Sequence, residues 1–139
     1  MIIMAVDYGD VRTGIAVCDK FEMLASPVCV ITEWNVDALA RKILDIAIEK
    51  KAEEIVVGLP KNMDGSEGGR AARCRKFARM LKELSGLPVA MFDERMTTMT
   101  ASRYLNETNT RGKKRKGVID TLSAEIILQN CLDRLKYLS

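Results

Sequence analysis

The stretch Met1–Asp19, MIIMAVDYGDVRTGIAVCD, decides the reading of this chain: an apolar run stops on Asp7, turns through Gly9 and returns as a second apolar run from Thr13 to Cys18. Ile2, Ile3, Met4, Ala5 and Val6 show no polar alternation. That is the pattern of a strand covered on both faces, as at the centre of a layered α/β domain. A carboxylate ending such a strand sits at the rim of a core, where an uncompensated charge is costly. Two readings of Asp7 compete at this point. Asp and Gly are ordinary turn formers, and Asp7 could bond its own backbone two residues on; otherwise the position is held for its charge.

The 139 residues fit one domain, residues 1–139, with room for a layered core but not for two full lobes. A hydrophobic fraction of 47% and a charged fraction of 29% are those of a soluble globular chain. No apolar run reaches membrane-spanning length, and the N-terminal run lacks a basic leader and a small-residue cleavage site, so a cytoplasmic protein with no membrane partner is expected. Cys18, Cys29, Cys74 and Cys131 are scattered without a C-x-x-C pair and read as reduced, small core residues. Histidine is absent, so acid–base or metal chemistry has to run on carboxylates, and oxygen-only sites favour Mg²⁺ or Mn²⁺.

After the opening hairpin, Pro27–Thr32 reads as a third strand completing an antiparallel meander. Val36, Leu39, Ala40, Ile43 and Ala47 recur at helical spacing behind Asn35, a good N-cap. Ile55–Gly58 is a buried strand, and the residues from Lys61 to Gly69 form a loop by composition. A second helix is expected from about Arg70 to Leu84, with Cys74, Phe77, Ala78, Leu81 and Leu84 inward and Gly86 as its stop. Its other side carries Arg70, Arg73, Lys76, Arg79 and Lys82, either a solvated face or one suited to a phosphate backbone. A fifth strand, Pro88–Phe92, runs into Asp93, Glu94 and Arg95. A short helix through Tyr104 and Leu105, a basic loop from Asn109 to Gly117 and a last helix from about Val118 to Tyr137 follow.

Strands separated by helices pair in parallel through right-handed crossovers, while the meander extends one edge. The expected fold is therefore α/β, a mixed five-stranded sheet of three antiparallel strands plus two parallel ones, with helices on both faces. If the first strand is central and parallel to the last two, Asp7, the loop after Pro60 and Asp93–Glu94 gather at one sheet edge, where ligands of such sheets bind.

An acid ending the first strand, another ending the last strand and a third in the final helix is the pattern of the ribonuclease H-like superfamily. The strings DYGDVRTGIAV at 7–17, VVGLPKNMDGSEG at 56–68, DERMTT at 93–98 and KKRKGVIDTLSAEIILQ at 113–129 stand in the order found in the YqgF, or RuvX, family of pre-16S rRNA nucleases and Holliday junction resolvases. This chain resembles that family over nearly its whole length. Ser123 is the main departure, standing where the family often has Ala. The resemblance implies that Asp7, Glu94 and Asp120 are catalytic acids and metal ligands for Mg²⁺ or Mn²⁺. Residue chemistry is compatible: clustered carboxylates repel unless a cation neutralises them, and a divalent ion supports in-line phosphodiester displacement. Alternation along a strand lets only one of Asp93 and Glu94 face Asp7; the residues leave that choice even, and the resemblance favours Glu94. Asp120, in the first turn of its helix, could instead serve only the helix dipole.

Arg12 and Arg95 flank the proposed acids and could orient phosphates or pair with neighbouring carboxylates. Lys61, Asn62 and Ser66, with the amides around Gly65, Gly68 and Gly69, precede a helix start and could cradle an anion. Arg111, Lys113, Lys114, Arg115 and Lys116 could grip nucleic acid. The function so implied is a metal-dependent endonuclease of structured nucleic acid, with 5′-end processing of precursor 16S rRNA in ribosome biogenesis ahead of Holliday junction resolution. Junction cutting would need two active sites and hence a homodimer. A non-catalytic RNA-binding module is the alternative of another class. The hairpin also resembles that of actin-like and sugar-kinase ATPases, whose second lobe this chain is too short to supply.

Overall fold

The computed structural model describes residues 1–21, 24–93 and Gln129. Its elements are β1 (Ile3–Asp7), β2 (Arg12–Cys18), β3 (Ala25–Thr32), α1 (Val36–Lys50), β4 (Glu54–Leu59), α2 (Gly69–Ser85) and β5 (Val89–Asp93). The strands form one sheet in the order β3-β2-β1-β4-β5. β1 pairs antiparallel with β2 and parallel with β4, β2 pairs antiparallel with β3, and β4 pairs parallel with β5. The mixed five-stranded sheet expected from the sequence is thus present, with the opening strand at its centre.

Alternation along β1 divides its apolar residues between two cores. Met4 and Val6 join Ile15, Ile55 and Val57 beneath Leu39 and Ile43 of α1 and Phe77 and Leu81 of α2. Ile3 and Ala5 point the other way and join Ala16, Cys18, Ala25, Val56 and Phe92. Each large apolar side chain removed from water contributes about 1.5–3 kcal/mol, so both faces stabilise the central strand. Both described helices lie on the Met4 and Val6 face. The last helix, expected from Val118, falls outside the described residues except for Gln129, which is helical and whose Oε1 accepts the Ala25 N–H at 3.0 Å.

α1 begins as expected: the Asn35 side chain accepts the Ala38 N–H at 2.9 Å. Its end carries no glycine signal, and Lys51 takes the left-handed conformation at φ 59° while its N–H returns to α1 carbonyls. Gly86, at φ 71°, closes α2 through a 2.9 Å bond to the Lys82 carbonyl. Two residues counted inward by periodicity are not core: Val36 is 37% exposed and Leu84 57% exposed. They occupy the first turn of α1 and the last turn of α2, where helical spacing continues past the sheet they would pack on. Cys18 and Cys74 are buried thiols as expected, Cys29 is half-buried, and Cys131 lies outside the described residues. Among the described residues no helix is long and apolar enough to cross a membrane.

The two ends of α1 should respond in opposite directions. Asn35→Ala is expected to lower stability by about 1 kcal/mol through loss of the cap, and Lys51→Gly to raise it by about 1 kcal/mol through relief of the left-handed backbone. Urea denaturation midpoints check both; equal midpoints in all three chains would refute the assignment of the helix ends.

Candidate active site

Asp7 is the last residue of β1, half-buried at the sheet's rim. In register with β2 it lies opposite Gly14. On its other side, one step beyond the Val6–Val57 pair, β4 presents Gly58, which is itself paired with Phe92 of β5. The row across this face therefore reads Gly14, Asp7, Gly58, Phe92. In its own row Asp7 is thus flanked by glycine on both neighbouring strands, and both glycines are buried. Arg12 shares the parity of Gly14 and Ala16 on β2, so it lies on the Asp7 face, half-buried at the strand's start.

The same alternation places Asp93. It pairs with Leu59, whose side chain packs with Ala71 and Cys74 of α2, so Asp93 has the parity of the helix face, opposite to that of Asp7. Phe92, by contrast, shares the cluster of Ile3 and Ala5. Glu94, Arg95, Lys113, Lys114, Arg115, Lys116 and Asp120 lie outside the described residues. Among the described residues no group of three or more His, Cys, Asp or Glu could hold a metal ion. Of the three acids implied as ligands, only Asp7 is among them.

The turn after Asp7 closes on itself. The Gly9 N–H donates to Thr13 Oγ1 at 3.3 Å, and Thr13 is fully buried. A methyl group on Gly9 would overlap the carbonyl oxygen of Arg12. Gly9 is therefore demanded by the hairpin's own backbone, whereas Gly14 is the glycine in register with Asp7.

The loop between β4 and α2 uses much of its polar chemistry internally. Asn62 Nδ2 donates to Ser66 Oγ at 2.9 Å, and Ser66 donates both its N–H, at 2.9 Å, and its hydroxyl, at 2.6 Å, to Asp64 Oδ1. The Gly65 N–H is bonded to the Asn62 carbonyl at 2.8 Å, with Gly65 at φ 89°. The amides of Gly65 and Ser66 thus hold the loop's shape instead of facing an anion. Glu67 accepts Arg75 Nε and Nη2 at 2.6 and 2.8 Å, and these charge-assisted bonds hold its carboxyl below the usual carboxylate range. Lys61, half-exposed, stands at the head of this loop.

Tyr8 has the opposite parity to Asp7 and lies on the helix side. Its ring stacks on Phe77 of α2 with centroids 4.4 Å apart and planes 16° from parallel. Burial, reinforced by the nearby Asp10 carboxylate, pushes its phenol above the ordinary value of 10.0. Asp10 meets Arg73 at 3.9 Å, a loose and largely exposed pair. No local sequence signal announces the Tyr8–Phe77 stack, since its partners are far apart in the chain.

An acid ending the central strand of a sheet ordered β3-β2-β1-β4-β5 defines a ribonuclease H-like domain. The fold is similar to that of Thermus thermophilus RuvC in complex with a Holliday junction substrate, with a TM-score of 0.61 and 13% identity over 100% of this chain and 98% of that one. It is also similar to the fowlpox virus Holliday junction resolvase, with a TM-score of 0.57 and 10% identity over 96% of this chain and 99% of that one. The chain belongs to the RuvX family, whose model, described as a Holliday junction resolvase, matches residues 1–134. Among its relatives are proteins of Paracoccus denitrificans, 43% identical over 98% of this chain and 86% of the relative, and Halothermothrix orenii, 44% identical over 96% and 95%. Both bear the name "Putative pre-16S rRNA nuclease".

Gly9→Ala is expected to lower stability by about 1–3 kcal/mol, the cost of forcing a methyl into a filled space, seen as a reduced melting temperature. A variant as stable as the parent would show that the turn is not closed as described. The raised phenol of Tyr8 gives a second expectation. A group whose native pKa lies above its unfolded value contributes stability in full below the unfolded value of 10.0 and loses it as pH rises through the native one. Stability should therefore fall above about pH 10 less steeply in Tyr8→Phe than in the parent, as measured by denaturation at a series of alkaline pH values.

Proposed function

We propose that this RuvX-family chain is a metal-dependent endonuclease that hydrolyses phosphodiesters of structured RNA, with the 5′ end of precursor 16S rRNA as its substrate in the cytoplasm. The observation that carries the reading is the setting of Asp7: a half-buried carboxylate ending the central strand, in register with Gly14 on one side and Gly58 on the other. A turn-forming Asp needs no glycine on either side, whereas a carboxylate that must admit a cation and a phosphate is served by neighbours that add no side chain. The names of the relatives from Paracoccus denitrificans and Halothermothrix orenii support the choice of rRNA.

Asp7, Glu94 and Asp120 are the proposed ligands of Mg²⁺ or Mn²⁺. The donor chemistry fits: the chain has no histidine, and an all-oxygen set suits these hard cations. When bound, such ions lower the pKa of a water and stabilise the leaving oxygen of an in-line displacement. The parity of Asp93, on the helix face opposite to Asp7, counts against Asp93 as the ligand and so supports the choice of Glu94 that the family resemblance implies. Arg12, on the Asp7 face, would orient a phosphate oxygen through its guanidinium fork, with no change of protonation. Arg95, next to Glu94 in sequence, is proposed for the same role. Lys61, with the loop held rigid by Asn62, Asp64 and Ser66, and the basic run Lys113, Lys114, Arg115 and Lys116 would hold the flanking backbone.

The family description favours a second substrate, the four-way DNA junction, for which a homodimer would supply paired cuts. Wild type and Asp7→Asn should each be offered a precursor-rRNA fragment and a four-way junction, with Mg²⁺, Mn²⁺ or chelator. The expected outcome is metal-dependent cleavage of the RNA, lost by at least about 1000-fold in Asp7→Asn and in chelator, with folding retained. Cleavage of the junction alone would transfer the assignment to resolution. Binding without cleavage under any metal would make the chain a binding module.

A further inference from the structure

Beside Asp7, on the other face of the same sheet edge, lies a groove of about 280 Å³ lined by Tyr8, Val36, Arg73, Lys76, Phe77 and Met80. Its make-up is mixed in a particular way. The Tyr8 ring, backed by the buried Phe77, and the side chains of Val36 and Met80 give it an apolar wall. Arg73 and Lys76, exposed on successive turns of α2, put two cations at the same groove. The volume is near the lower bound of small-ligand pockets, about 300 Å³. Val36, which helical spacing placed in the core, is instead left partly open at this groove.

We propose that this groove is a subsite for unpaired nucleotides of an RNA substrate that flank the scissile phosphate. The ligand class rests on the nuclease reading above; the location and selectivity rest on the groove itself. Subsites for single strands combine aromatic or apolar surfaces for the bases with cations that track the backbone. A paired segment would present only phosphates and leave the apolar wall unused. Tyr8 follows Asp7 directly in sequence and lies on the opposite face, so a strand held in this groove reaches the carboxylate by rounding the sheet edge between them. Arg73 can change partners at little cost, since its pair with Asp10 is long, at 3.9 Å, and largely exposed. The Tyr8 hydroxyl is a hydrogen-bond donor available to a phosphate or a base edge.

Binding measured without metal separates this subsite from catalysis. Full-length Asp7→Asn protein is titrated by fluorescence anisotropy with two probes, a blunt RNA hairpin and the same hairpin with a short 5′ single-stranded extension. The extension is expected to tighten binding about 10-fold. Arg73→Ala/Lys76→Ala in the same background should abolish most of that gain and leave the blunt hairpin within about 2-fold. With two single-strand phosphate contacts removed, the log–log salt slope for the extended probe should flatten by about 1.4. No gain from the extension, or equal weakening of both probes, would overturn the subsite and leave only general basic attraction. A chain that shows the extension-specific gain yet cleaves no RNA in Mg²⁺ or Mn²⁺ would sustain the subsite and sink the nuclease reading.

Discussion

The two-residue period of β1, fixed by its central place between an antiparallel and a parallel neighbour, is the constraint on which everything at the sheet edge depends. Met4 and Val6 are committed to the core under α1 and α2, and Ile3 and Ala5 to the core on the other face. A slip of one residue would exchange the two sets and turn Asp7 into the helix layer, where Phe77 lies. Burial of four apolar side chains in alternate directions thus sets the direction of a single carboxylate. The burial of its predecessors in the strand fixes the face on which Asp7 lies.

That constraint also explains what could be read from the chain in advance. Continuous apolar runs, the cap at Asn35 and the stop at Gly86 are local signals, and the elements they imply are present in the expected order. Val36 and Leu84 were misplaced because helical periodicity carries no information about where the opposing sheet ends. Lys51 shows the reverse case: its left-handed backbone is imposed by the return of the chain into β4, with no Gly or Asn to announce it.

Asp7 stood out as a candidate because its charge interrupts an apolar run. Its setting did not, because the roles of Gly14 and Gly58 come from register between strands distant in the sequence. The loop after β4 was recognisable by composition, but composition could not say that Asn62, Asp64 and Ser66 spend their polar atoms on one another. Asp93 is similar: only the partnering of β5 with Leu59 reveals its parity. In each case the residue type was visible and its direction was not.

The division of the sheet edge into two faces bears on how a polyanion could approach acids at all. A carboxylate at the end of the central strand repels phosphate, and clustered acids repel it more strongly until cations intervene. Attraction must then come from groups near enough to hold the backbone yet separate enough not to neutralise the acids. Under the proposed subsite Arg73 and Lys76 would serve, since the sheet itself stands between their groove and the Asp7 face. Arg75 does not serve in the same way, because Glu67 already holds it through two short bonds. The neighbours along α2 therefore differ in availability: Arg75 braces the loop that leads into the helix, while Arg73, tied only loosely to Asp10, is the cation that an arriving strand could take over.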